Sequence, residues 1–79
     1  MKNANVVDTL LTLAAERFGK DRATLRAEDD LFDALGIDSV DAMTLLTALE
    51  ERFGVEIPDY EVQDVRTFAA LAAVVERRL

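Results

Sequence analysis

A chain of 79 residues is long enough for one small domain and too short for two. Half of it is hydrophobic (51%), which supports a real core and excludes a disordered chain. Nine basic residues against sixteen acidic ones leave a net charge of −7, which argues against nucleic-acid phosphates and anionic membrane surfaces as partners.

The periodicity is helical from end to end. Val6, Val7, Leu10, Leu11, Ala14 and Phe18 recur at helix spacing and predict a first helix over residues ~4 to 18. Gly19 is placed to end it. Residues 20 to 38 show no sustained period and read as a long loop, pinned by Leu25, Leu31, Phe32, Leu35 and Ile37. A loop of that length inside a small domain is often functional. The second helix opens at Asp38-Ser39 and runs to about Phe53, with Asp38 as N-cap, Asp41 in the first turn and Gly54 as its stop. A short third helix is expected over residues 59 to 64, after the Pro58 connector. Thr67 caps a last helix whose face is Phe68, Leu71, Ala72, Val75 and Leu79. No hairpin-bounded alternation is present. The expected fold is therefore all-α. It is a small bundle of three long helices plus one short one, a single domain spanning residues 1–79, with a long loop between helices one and two.

The missing residue types narrow the chemistry. The chain has no cysteine and no histidine. Disulfides, thiolate nucleophiles, Cys-ligated zinc and the commonest general base are all excluded. No stretch reaches the ~18 apolar residues of a membrane span. The N-terminus lacks the apolar segment of a secretory signal, because Asp8 and Thr9 interrupt it, so the expected compartment is the cytoplasm. Met1 and the absence of linker-like tails suggest a complete protein. Residues 28 to 64 hold twelve of the sixteen acids and one base, Arg52. Such a field is either a solvated face or a docking surface for basic partners.

On the second helix, Ala42, Leu45, Leu46, Leu49 and Phe53 form the core stripe. Ser39, Val40, Met43, Thr47 and Glu50 fall on another face. Val40 and Met43 are therefore large apolar side chains flanking Ser39 away from the core. They form a contact patch unless the loop folds over them. Ser39 has three readings. As a nucleophile it lacks a base, and Gly36-Ile37-Asp38-Ser39-Val40 lacks the glycine that follows the serine in a hydrolase elbow. As a cap it would satisfy a free N–H. As an attachment point it would be exposed at a helix N-terminus, where a covalently held phosphate is favoured by the dipole, although Asp38 and Asp41 would repel a free anion. A calcium loop starting at Asp29 fails, because Leu31, Ala34 and Val40 occupy the third, sixth and twelfth places. No metal site is expected.

The run Asp30-Leu31-Phe32-Asp33-Ala34-Leu35-Gly36-Ile37-Asp38-Ser39-Val40-Asp41 resembles the modification loop of acyl carrier proteins. Leu49-Glu50-Glu51-Arg52-Phe53-Gly54-Val55-Glu56-Ile57-Pro58-Asp59 resembles the same family downstream, and the length and terminal helix agree. The resemblance implies a non-enzymatic carrier. Ser39 would bear a 4′-phosphopantetheine arm, added by a phosphopantetheinyl transferase, with Asp38 as the acid before the site. The arm's thiol would hold acyl or aminoacyl cargo as a thioester. Val40 and Met43 with Thr47 beside them, and the acids Asp41, Glu50 and Glu51, would form the partner surface. The implied partners are a loading enzyme (an acyltransferase or adenylating ligase) and a ketosynthase or other downstream enzyme with a basic docking patch. Thr44, Thr47 and Arg52 depart from a fatty-acid-synthesis carrier and favour a dedicated polyketide or nonribosomal pathway. The alternatives are a fatty-acid carrier and, from a different class, a small acidic helical adaptor without a prosthetic group.

Overall fold

The computed structural model describes residues 2–79, with side chains from residue 6 onward. Four α-helices follow in chain order: α1 (Lys2–Phe18), α2 (Leu31–Leu35), α3 (Ser39–Phe53) and α4 (Phe68–Arg78). Single 3₁₀ turns at Arg22–Thr24 and Asp59–Glu61 interrupt the two long connections. No strand is present among the described residues, and an isolated bridge joins Asp30 to Thr67. The all-α bundle of three long helices and one short one is therefore observed, but the short helix lies elsewhere than expected. Residues 59 to 64 give only the turn Asp59–Glu61, and the short helix is α2, inside the expected loop. Five residues make little more than one turn, too short to show a period. What starts α2 is local: Asp30 accepts hydrogen bonds from the N–H groups of Phe32 (2.9 Å) and Asp33 (3.2 Å).

The core joins all four α-helices. α1 contributes Val6, Leu10, Leu11, Ala14 and Ala15, with Val7 and Phe18 packed half-buried against it. From α3, Leu45, Leu46 and Leu49 are buried, while Ala42 and Phe53 at the two ends of the stripe are half-buried. Phe68, Leu71, Ala72, Val74 and Val75 bury the face of α4, which packs chiefly on α1. Val74 widens the expected stripe, and Leu79 departs from it: it lies past the end of α4 and is 53% exposed. Leu25, Leu31, Leu35 and Ile57 are the apolar pins that hold the connections down. Among the described residues no helix is long and apolar enough to cross a membrane.

Truncation should separate the two faces of α3. Leu49 is fully buried, so Leu49→Ala should cost about 2–5 kcal/mol in urea denaturation. Val40→Ala, on the exposed side, should change stability by less than about 0.5 kcal/mol.

Candidate functional site

Ser39 is delivered by a short relay of backbone constraints. α2 ends at Gly36, whose φ of 66° is left-handed and suits a residue without a Cβ. The N–H groups of Gly36 (2.8 Å) and Ile37 (3.1 Å) both donate to the Phe32 carbonyl, which closes the turn. The chain is then extended at Asp38, whose Oδ1 accepts from the Asp41 N–H at 3.0 Å. Asp38 is thus the N-cap of α3, as its sequence position implies. Ser39 is the first helical residue and is exposed. Its hydroxyl has no hydrogen-bond partner among the described residues, and neither do the N–H groups of Ser39 and Val40. The capping reading of Ser39 is therefore displaced by its neighbour.

Around it, Val40 is 72% and Met43 40% exposed, so the loop does not fold over them. Asp41, Thr47 and Glu51 are exposed as well. Glu50 differs from the open acid expected of that face. It is half-buried, and its Oε2 accepts from the Ile57 N–H at 2.7 Å, which ties the end of α3 to the connector. The hydroxyls of Thr44 and Thr47 donate back to the carbonyls of Val40 (3.3 Å) and Met43 (3.1 Å). They are spent within the helix rather than offered outward. Arg52 shares a shallow depression with Asp8 and Glu16 of α1.

Beside Ser39 opens a cavity of about 530 Å³ between α2, α3, the 59–66 connector and α4. Ser39, Ala42, Met43 and Leu46 line its α3 side. Leu31 and Phe32 close it from α2, and Val62, Val65 and Leu71 from the far side. Asp59, Gln63 and Arg66 supply its charged or amide side chains. The wall is therefore mainly apolar with a polar margin.

A cluster at one edge holds this cavity in shape. Arg66 Nε donates to Asp30 Oδ2 at 2.9 Å, and the Arg66 guanidinium lies 5.0 Å from the centre of the Phe32 ring. The Leu31 N–H donates to the Arg66 carbonyl at 2.7 Å. Partial burial pushes the Asp30 carboxyl up. The N–H of Asp33, Arg66 Nε, the N–H of Phe32 and the Arg66 charge outweigh it and hold the group below its ordinary value. Sequence reasoning passed over Phe32 and Arg66 as site residues. The available signal was charge: Arg66 is the lone base between Arg52 and Arg77.

Set beside known families, residues 8–75 match the model described as the phosphopantetheine attachment site. The match takes in α2, the turn at Gly36, Ser39 and the whole cavity wall.

The Asp30 cluster predicts acid sensitivity. A carboxyl held low in the folded state stabilises it above the unfolded value, and that contribution is lost as pH falls through the lowered one. In melting curves recorded from neutral pH to about pH 2, within and below the carboxylate range, Asp30→Asn should be less stable than wild type at neutral pH. The gap should close toward the acid end.

Proposed function

Because the chain belongs to the phosphopantetheine-attachment family, we propose that Ser39 is its attachment residue and that residues 1–79 act as one carrier domain. Domains of this family are carriers rather than catalysts, and their prosthetic group is 4′-phosphopantetheine. The observation that carries the assignment to Ser39 is its uncommitted hydroxyl. Asp38 does the capping, so the Ser39 oxygen is exposed and chemically spare. Two unpartnered N–H groups lie beside it at the positive end of α3, which suits the phosphate of a phosphodiester. Asp38 and Asp41 disfavour a free anion in the same place, so covalent attachment is the form of phosphate that fits. The arm supplies the thiol for thioester chemistry, which a chain without cysteine cannot itself provide.

The chain's own residues do the presenting. Val40 and Met43 offer an apolar contact next to the arm, with Thr47 beside them, and Asp41 and Glu51 offer charge to basic partners. Exposed pairs of that kind contribute roughly 0–1 kcal/mol each, which suits a carrier that must leave one enzyme for the next. The partners are a phosphopantetheinyl transferase, a loading acyltransferase or adenylating ligase, and downstream enzymes such as a ketosynthase. The cavity beside Ser39 supports shelter of an apolar cargo between visits. The inward-bonded threonines and Arg52 leave α3 with fewer free acids than a general fatty-acid carrier would show. This supports a dedicated polyketide or nonribosomal-type pathway.

Intact mass tests the assignment. Incubation with coenzyme A and a broad-specificity transferase should add one arm to wild type and none to Ser39→Ala. The variant should melt within a few degrees of wild type, because the cap is elsewhere. Wild type that stays unmodified while folded, or a Ser39→Ala variant that still gains the arm, would refute it. Val40→Asp should slow transfer from a loading enzyme by roughly tenfold while leaving the fold unchanged, read as the rate of mass gain.

A further inference from the structure

The cavity beside Ser39 has a cationic side chain that the proposed function does not use. Arg66 is fixed at three points: its carbonyl by the Leu31 N–H, its Nε by Asp30, and its guanidinium plane by the Phe32 ring. Its Nη1 and Nη2 have no hydrogen-bond partner among the described residues. Arg66 is exposed (65% for its side chain), and on a mainly apolar wall, whose other charged or amide side chains are Asp59 and Gln63, a guanidinium held in one orientation is a specificity element by its chemistry.

The charges around it decide what it can take. Asp30 offsets the Arg66 charge, and Asp59 on the same wall adds a negative one. A carboxylate or phosphate would meet Asp59 and find the cation already paired. A neutral oxygen meets neither problem and accepts from the spare nitrogens. A saturated chain leaves those donors to water.

Resting on the reading of Ser39 as the attachment point, we propose that Arg66 selects the cargo. The cavity takes an acyl chain bearing a second neutral carbonyl oxygen along the chain, beyond the C1 carbonyl that every acyl group has, in preference to a saturated chain of the same length, and Arg66 is the hydrogen-bond donor to that second oxygen. Of the other polar side chains on that wall, Asp59 has no donor, and the Gln63 amide is a neutral donor with no hydrogen bond among the described residues to orient it as Asp30 and Phe32 orient Arg66.

The test uses the full chain carrying three arms: the bare arm, one with an octanoyl group and one with a 3-oxooctanoyl group, the acyl groups joined through a hydrolysis-resistant amide. Mass is read first. Absence of any arm overturns the attachment reading and this proposal with it. On the loaded protein, NMR follows hydrogen exchange at the Arg66 guanidinium. The expected result is exchange slowed roughly tenfold with the 3-oxo cargo alone, the factor one charge-assisted hydrogen bond supplies. The 3-oxo form should also melt higher than the octanoyl form. Arg66→Met should erase that difference between cargoes, and Arg66→Lys should restore part of it. A purely structural Arg66 would lower all forms equally. Equal exchange with both acyl groups, or slowing already complete with the bare arm, overturns the proposal while leaving the attachment reading intact. The wild-type comparison decides the matter even if a variant folds poorly.

Discussion

The first turn of α4 needs partners for its N–H groups, and the way it finds them organises the rest of the molecule. A helix leaves its leading amides without intrahelical acceptors. Here the Phe68 N–H donates to the Asp29 carbonyl (3.3 Å), the Ala69 N–H to the Ala27 carbonyl (2.8 Å) and the Ala70 N–H to Thr67 Oγ1 (3.0 Å). Two of these acceptors belong to the long connection after α1. That connection cannot wander, because its carbonyls complete a helix far away in sequence. Arg66 then ties the same segment through Leu31 and Asp30. With residues 27 to 31 fixed, α2 has one place to start, Gly36 one place to turn, and Ser39 one place to emerge.

What could be read from the sequence and what could not follow the same division. α1, α3 and α4 carry enough turns for a 3.6-residue period to stand out, and their caps (Asp38, Thr67, Gly54) are residues with a strong local preference. The exposure of Val40 and Met43 followed from the same wheel that buried Leu45 and Leu49. The connection between α1 and α3 was opaque because its order comes from partners more than 30 residues distant, such as Arg66 for Asp30. The bond made by Glu50 is hidden for a similar reason. On a wheel it is one more surface acid, and only the returning chain shows that its carboxylate receives the Ile57 amide. The cavity is likewise a product of assembly, since its walls come from four separate segments.

The acidic stretch turns out to have an internal division of labour. Asp30, Asp38 and Glu50 hold backbone amides in place, Glu61 pairs with Arg78 at the end of α4, and Asp41 and Glu51 remain at the surface. Negative charge here is therefore partly architecture. A count of acids overstates the field available to a partner, and changing the wrong acid would loosen a connection before it weakened an encounter.

The separation of Asp38 from Ser39 has a consequence for what a damaged copy does. Since the helix start is secured one residue earlier, a chain that loses the hydroxyl at position 39 keeps its cap, its core and its surface. Surveillance that removes proteins by their tendency to open would not single it out. If Ser39 bears the arm as proposed, such a copy would persist at normal abundance and occupy the same enzymes as its functional sibling without ever passing anything on. A lesion at this position would therefore behave as a poison rather than as a simple loss.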